Sequence, residues 1–413
     1  MLTAATLRKN WALLAFGWLM TFGSAFGQTY FISIFGGLIR NEFSLSHTSF
    51  GSLYSTGTLL SAFVLMWAGR LIDRLPLLTF SSIAIAGLAL STLAMWFAGG
   101  WLTLMLAFFS LRFFGQGLMT HAAMTAMARH FTAERGRAVS FAALGHVCAE
   151  AVLPILAVTL MALLHWRTIW LACAAGLLTL FLPLVILLLH QRPDDPRQYA
   201  AASFPSAGNR SAREGASLTA VLKDPLLYCL LPALMAPAFI STGLIFHQIH
   251  IGTEKGWTLE VLAFGLTAFA AGSFVMMLTT GVLVDRLTTR RLMPFSLVPT
   301  ILACAVLATT DSRLGALVFF SLLGVQSGLM SVIHGAVWAE VYGVIHLGAI
   351  RAFATSTMVF ASGLAPAIGG ALIGWEWTIA AIALLLAAYS LIASGLAFIG
   401  VRFVLRHAGD TNG

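Results

Sequence analysis

The sequence predicts an all-α membrane protein whose twelve transmembrane helices form two pseudo-symmetric six-helix bundles. Three observations predict this class: the composition, the number of long apolar segments and an internal repeat. Of the 413 residues, 59% are hydrophobic and only 9% are charged, whereas about a quarter of the residues of a soluble domain are charged. The composition therefore excludes an ordinary soluble enzyme, a disordered chain and a fibrous repeat protein.

Apolar segments of transmembrane length occur twelve times along the chain. A helix needs about 20 apolar residues to cross the hydrocarbon core of a bilayer. The predicted spans are 11–37, 50–70, 77–98, 101–127, 138–164, 169–190, 226–250, 261–284, 293–310, 314–338, 349–374 and 378–404. The connection after the sixth span is rich in Arg, Asp, Pro, Ser and Gly, which is typical of a solvated linker. We therefore expect an N-terminal bundle over 1–190, a cytoplasmic linker over 191–224 and a C-terminal bundle over 225–413.

The basic residues predict how these spans are oriented. An even number of spans places both termini on one side of the membrane. Of the 23 lysines and arginines, 18 fall on that side, four fall on the opposite side and Arg112 lies within a span. Because basic residues accumulate in cytoplasmic loops, we expect both termini and the linker to be cytoplasmic. The short loops favour a bacterial inner membrane protein.

An internal repeat relates the two predicted bundles. The letters GRLIDRL at 69–75 match GVLVDRL at 281–287, and FFSL at 108–111 recurs at 319–322. The two offsets agree within one residue, and each match falls at the same ordinal span of its half. Transporters are commonly built from such repeats. The sequence therefore predicts two homologous halves of six spans each, in parallel topology.

Several motifs resemble those of the major facilitator superfamily of secondary transporters. GRLIDR at 69–74 resembles the family's Gly-x-Leu-x-Asp-Arg loop after the second helix, and GVLVDR at 281–286 with the later Arg290 and Arg291 fits it better. Arg112 with the following Gly-Gln-Gly resembles the family's motif in the fourth helix. The resemblance covers essentially the whole chain. It implies two bundles that alternate access to a central cavity, lined mainly by the first, fourth, seventh and tenth helices.

The loop motif is a candidate gate. A glycine permits close approach of helices. The carboxylate of the aspartate can interact favourably with the N-terminus of a neighbouring helix or with an arginine. Such a charge cluster can hold one state closed and break in the other. In the alternative interpretation, the arginines only anchor the cytoplasmic side of the membrane. The candidate gating residues are Gly69, Asp73, Arg74, Gly281, Asp285 and Arg286.

Two charged residues are predicted near the middle of the membrane. A charge there costs about 2.5–3.5 kcal/mol on insertion scales, so such residues usually have a function. Arg112 in the fourth span and Glu150 in the fifth lie at similar depths, about 17 and 21 Å from the outer ends of their helices. We expect the two to pair, either as a structural ion pair or as a coupling site. In a coupling site, an anionic substrate pairs with Arg112. Glu150 then loses its counter-charge and takes up a proton.

Neutral polar residues complete the candidate cavity. His146 lies four residues before Glu150 and therefore on the same helical face. Buried amides and histidines can equally well satisfy one another as packing residues, so both roles stay open. Gly23 and Gly27 form a GxxxG pair that predicts close helix packing. The candidate cavity residues are His146, Gln28, Tyr30, Gln116, His121, Gln326 and His334.

These residues lead to an expected function. An arginine fork matches a carboxylate, and the segment 342–348 resembles the monocarboxylate and oxalate/formate-type branch of the family. We expect a monomeric, proton-coupled symporter of a small organic anion, with the proton in place of any cofactor or metal and with no nucleic-acid partner. A drug or metabolite efflux antiporter is the alternative. An enzyme is disfavoured, because the sequence shows no nucleophile–base set and no phosphate-binding loop.

Overall fold

The structure is a computed structural model that describes residues 4–131, 134–190, 217–343 and 347–410. The chain divides into two units, Met1–Gly208 and Asn209–Gly413. Eleven described helices are long and apolar enough to cross a membrane, and a bent pair at the start of the chain makes a twelfth. The prediction of an all-α protein with twelve spans is thereby confirmed. Residues 191–216 of the predicted linker lie outside the described residues, and a short helix follows them.

The N-terminal unit contains the first six spans, three of which change helix type along their length. The first span changes from α-helix to 3-10 helix at Ser24–Gly27, and the fourth and sixth contain π-helical segments at Arg112–Met119 and Leu177–Phe181. The α-helices of this unit are α1 (Ala4–Gly23), α2 (Thr29–Ile34), α3 (Gly36–Glu42), α4 (His47–Ala68), α5 (Leu77–Phe97), α6 (Trp101–Leu111), α7 (Thr120–His130), α8 (Arg135–Met161), α9 (Trp166–Gly176) and α10 (Leu182–His190).

The C-terminal unit contains the other six spans. Its seventh span ends at Phe246, and the chain then bends at His247 into a short helix. The α-helices of this unit are α11 (Leu218–Lys223), α12 (Pro225–Phe246), α13 (Gln248–Lys255), α14 (Leu259–Leu287), α15 (Thr289–Leu292), α16 (Val298–Thr309), α17 (Arg313–Tyr342), α18 (Leu347–Gly374) and α19 (Ile379–Asp410).

The first span differs from the sequence prediction because it is broken. The sequence predicts one continuous helix over 11–37, but Gln28 between the 3-10 turn and α2 is extended, with φ −89° and ψ 150°. Beyond α2, the chain turns by 67° into α3. Irregular backbone is tolerated at membrane depth only where it is buried in protein or lines a cavity. The residues that pack against this break are therefore candidates for function.

A close glycine contact packs the fourth span against the break. The Cα atom of Gly115 lies 2.8 Å from the position that a Cβ atom on Gly27 would occupy, and the carbonyl oxygen of Leu111 lies closer still to the same position. Any side chain at Gly27 would therefore push the two backbones apart. This contact confirms the close helix packing that the GxxxG pair predicts.

Candidate functional site

The break in the first span leaves backbone groups that a continuous helix would have paired. Arg112, at the start of the π-helix in the fourth span, compensates for this. Its Nη1 atom donates to the carbonyl oxygen of Gly27 and to Oγ1 of Thr29, each at 3.2 Å. Unpaired backbone groups are costly where no water is present. The arginine therefore stabilises the break, and the break fixes the position of the guanidinium.

Tyr54 in α4 holds the same guanidinium from the other side. Its hydroxyl donates to Oγ1 of Thr29 at 2.9 Å, and its ring centroid lies 5.6 Å from the Cζ atom of Arg112. A cation at this distance is attracted to the face of the ring. Only 3% of Arg112 is exposed. Arg112, Thr29 and Tyr54 thus form a buried cluster with one net positive charge, and we call it the arginine cluster.

One edge of the Arg112 guanidinium has no protein partner. Its Nε atom is buried without a hydrogen bond, and both hydrogen bonds of the side chain use Nη1. In the part of the chain that the structure describes, the Nε and Nη2 donors are therefore not used. Arginine presents its donors as a planar fork that binds a carboxylate through two parallel hydrogen bonds. The unused edge therefore has the pair of donors that such a ligand needs.

The prediction that Arg112 and Glu150 form an ion pair is wrong. Glu150 is only 6% exposed, but no described residue forms an ion pair or a hydrogen bond with its carboxyl group. The prediction compared only the depths of the two side chains along their helices. It did not include the break in the first span, where the carbonyl group of Gly27 and the hydroxyl group of Thr29 accept the hydrogen bonds of Arg112 instead.

Tyr30 lies near the buried carboxyl group of Glu150, and His146 lies one helical turn before Glu150 in α8. Tyr30 is within electrostatic range of the carboxyl group, and its ring centroid lies 5.7 Å from that of His146 at an interplanar angle of 67°. His146 is half-buried. These three predicted residues therefore lie together where α2 packs on α8, and we call them the carboxyl cluster.

The other predicted cavity residues have different surroundings. His121 and His334 each place Nε2 near a backbone carbonyl oxygen, of Gly69 at 3.1 Å and of Leu234 at 3.0 Å, which is typical of packing residues. Gln116 is exposed. Gln28 is half-buried, and its side chain does not cap the following helix.

Gln326 in α17 is the most unusual of the predicted residues. It has no exposed surface, and neither its amide nitrogen nor its amide oxygen has a hydrogen-bond partner. A buried amide without partners is costly. Natural proteins contain few such groups, and each requires an explanation. The amide is therefore a candidate ligand-binding group of the C-terminal unit.

The predicted gating residues are only partly described. Gly69 begins a 3-10 turn that extends to position 73, and Arg74 is exposed. The side chains of Asp73, Asp285 and Arg286, and position 281, lie outside the described residues.

A contact that the sequence analysis missed holds the loop after the second copy of the motif. Glu340, near the end of α17, accepts hydrogen bonds from the backbone N–H groups of Thr289 at 2.8 Å and of Arg290 at 3.3 Å. Its carboxylate also lies 3.6 Å from Nε of Arg290. The sequence signal was present, because Glu340 is an acidic residue at the end of a span on the side where basic residues accumulate.

Comparisons with known proteins agree with this fold. The sequence model described as Major Facilitator Superfamily matches residues 17–265 and 238–407. A crystal structure of the nucleoside transporter NupG superposes with a TM-score of 0.72 at 14% identity, covering 94% of this chain and 98% of that one. A bacterial homolog of the human lysosomal transporter Spinster, in an inward-facing and unoccupied conformation, gives 0.60 at 16% identity, covering 97% and 95%.

A curated relative is similar over part of its length. The Multidrug resistance protein B homolog of Mycobacterium tuberculosis is 26% identical over 187 residues, which are 45% of this chain and 34% of that protein. The chain thus covers about a third of the relative's length. The family match, in contrast, extends over nearly the whole chain and agrees with the twelve spans and the two units. The chain therefore belongs to the Major Facilitator Superfamily, as a multi-pass membrane transporter and not an enzyme.

Proposed function

We propose that this transporter is a proton-coupled symporter of a small organic anion, with a carboxylate as the preferred class. The observation that carries the proposal is the Nε and Nη2 edge of the buried Arg112 guanidinium, which has no hydrogen-bond partner among the described residues. A substrate carboxylate supplies two acceptors for these donors and neutralises a buried charge. Thr29 and Tyr54 hold the guanidinium in position for this contact.

Glu150 is the coupling group in this proposal. Burial disfavours the charged form of a carboxyl group, and the arrival of a second negative charge disfavours it further. Binding of an anion to the arginine cluster therefore favours proton uptake by the carboxyl cluster. The anion and the proton then cross together without net charge, so the pH gradient drives accumulation and the membrane potential does not.

The remaining assignments are part of the same proposal. Both termini are cytoplasmic in a bacterial inner membrane, and the monomer is the transporting unit. The loop motifs act as gates, and the contact of Glu340 with Thr289 and Arg290 belongs to the second gate. No cofactor is used apart from the coupling proton.

Transport by purified protein in liposomes tests the proposal. We expect the wild type to accumulate one of a panel of radiolabelled carboxylates when the external medium is acidified. Arg112→Lys should lose uptake, since a lysine has no planar fork. Glu150→Gln should lose accumulation against a gradient but keep counterflow exchange. The matched controls, Arg402→Lys and Glu376→Gln, change exposed residues and should behave as the wild type. Unchanged accumulation in Glu150→Gln overturns the coupling role.

A second candidate function is efflux of drugs or metabolites, which the similarity to a multidrug resistance protein homolog favours. This function predicts resistance in cells that overexpress the chain. It also predicts that an imposed inward proton gradient drives solute out of the compartment that the protons enter. The same liposomes distinguish the two functions, because symport moves solute and protons in one direction.

A further inference from the structure

A cavity of about 260 Å³ lies in the N-terminal unit, between the first, fifth and sixth spans. Its lining side chains are hydrocarbon or aromatic apart from the thiol of Cys173. A water molecule in a cavity needs two to four polar partners, and this lining offers almost none. The cavity is therefore suited neither to ordered water nor to the anion proposed above. We call it the apolar pocket.

Irregular segments form two of its walls. Phe26 and Phe31, on either side of the break in the first span, line the pocket, and the π-helix Leu177–Phe181 lines it from the sixth span. The ring of Phe31 is held edge-on, 5.3 Å from the ring of Phe26 and 5.4 Å from that of Trp170. Single π-helical turns occur frequently at functional sites. Packed aromatic rings and irregular helical segments thus form these walls, which is typical of a binding site.

The mouth of the pocket opens on the apolar surface of α8 and of the sixth span. Leu156 and Leu180 line the pocket and are 48% and 66% exposed. Leu180 lies near the middle of Trp166–His190 and Leu156 lies five residues before the end of Gly136–Met161, and both helices are long and apolar enough to cross a membrane. Side chains exposed at this depth of a bilayer contact the hydrocarbon chains of lipids. Lipid chains are therefore the molecules present at the highest concentration at this mouth.

The volume of the pocket suits one hydrocarbon chain. A cavity of about 150 Å³ holds a benzene ring, so 260 Å³ holds about ten carbon atoms by proportion. A helix of another protein, about 10 Å wide, is too large to enter. We propose that the apolar pocket binds the distal part of one acyl chain of a membrane phospholipid.

An acyl chain in the pocket would stabilise the backbone turn that holds the arginine cluster in place. Phe26 contributes to the wall, and the next residue, Gly27, accepts the hydrogen bond from Arg112. A filled pocket therefore supports the 3-10 turn whose carbonyl group holds the guanidinium. The substrate anion binds at a separate place, so this lipid site does not depend on the proposed transport function.

Photo-crosslinking in liposomes tests the lipid site. The probe is a phosphatidylcholine that carries a diazirine at the middle of one acyl chain, and labelled peptides are identified by mass spectrometry. We expect label to be concentrated on the lining residues between 153 and 181. Gly176→Phe should lower this labelling several-fold, because a Cβ atom at Gly176 has no neighbour within 4 Å and the new ring can fill the pocket. Ala172→Leu is a smaller change on the same wall and should lower it less.

The matched control is Gly395→Phe. Gly395 lies in α19, a Cβ atom there also has no neighbour within 4 Å, and the residue is not part of the pocket. This variant should keep the wild-type labelling. Label spread evenly over all spans, or equal labelling in Gly176→Phe and the wild type, overturns the lipid site. Labelling of the pocket only by a soluble alkyl diazirine without a headgroup also overturns it.

Discussion

Glu42 binds Arg167 at the point where the end of α3 meets the start of α9, with Oε1 of the carboxylate 2.6 Å from Nη2 of the guanidinium. The residues 212 positions later, Glu254 and Ile379, are also in contact, because Glu254 accepts the backbone N–H of Ile379 at 2.8 Å. Each glutamate joins the first and sixth spans of its own unit. The duplicated sequence has thus kept the same contact between the same two helices in both halves.

We expect Glu42→Ala to destabilise the protein more than Glu254→Ala does. Glu42 also accepts a hydrogen bond from Nε1 of Trp166 at 2.7 Å, whereas Glu254 accepts one backbone N–H group and lies 3.7 Å from Nε2 of His250. Hydrogen bonds to charged groups contribute about 1.5–3 kcal/mol each where they are shielded from water, and partial exposure lowers this value. Thermal melting of the purified protein in detergent measures the difference. Glu376→Ala, at an exposed turn, is the control, and equal melting of all three variants would contradict the prediction.

Gly27→Ala should be strongly destabilising. The added methyl group would clash with the carbonyl oxygen of Leu111, so the two backbones would have to move apart beside the hydrogen bond from Arg112 to Gly27. Overpacking of this kind costs about 1–3 kcal/mol. The yield of monodisperse protein and the melting temperature report the effect. In the control Gly395→Ala, the methyl group meets open space, so stability should be unchanged or higher by about 0.5–1 kcal/mol.

Tyr54→Phe should weaken substrate binding without abolishing transport. The change removes the hydroxyl that donates to Thr29 but keeps the ring beside Arg112. Loss of one hydrogen bond costs about 0.5–1.5 kcal/mol, or about a 2- to 12-fold rise in KM. Tyr54→Leu also removes the ring and should have a larger effect. Uptake kinetics measure both, and a Tyr54→Phe variant that loses all transport would indicate a role for the hydroxyl in the transported proton's path.

The variant Gln326→Leu tests whether the amide of Gln326 binds substrate or serves only packing in the C-terminal unit. The amide of Gln326 is buried without partners, so an apolar side chain of similar size should leave the melting temperature unchanged or raise it. If the amide binds the substrate, uptake should fall in the same variant. A variant that is as active as the wild type would show that the amide is dispensable for transport.

Glu340→Ala should loosen the loop after the eighth span. The change removes the acceptor for the backbone N–H groups of Thr289 and Arg290. We expect faster amide hydrogen exchange in a peptide that contains residues 288–292 and no change in a peptide from α16. Arg74→Ala changes an exposed residue in the first copy of the motif, and it is the control. Protection that is identical in Glu340→Ala and the wild type would contradict the contact.

The sequence predicted the helices and the repeat because both depend on the composition of long segments. It did not predict the break at Gln28, because the letters SAFGQ at 24–28 fit a helix nearly as well as a turn. Only the contact with the fourth span, through Gly115 and Arg112, makes the broken form favourable.

Pair contacts between helices were harder to predict than the helices themselves. The depths of Arg112 and Glu150 follow from the sequence, but the rotation of each helix about its axis does not, and this rotation decides which side chains meet. Glu42 and Glu254 were missed although their separation equals the repeat. A search for charged residues at that offset would have found them.

The break in the first span also constrains how the protein is made. Its carbonyl group at Gly27 is satisfied by a side chain that lies 85 residues later in the chain. A lone segment in lipid must pair its backbone groups internally, so during synthesis the first span is expected to insert as a regular helix. It can adopt its broken shape only after the ribosome has delivered the fourth span. Biogenesis of this half is therefore expected to include a step in which a later helix remodels the first one.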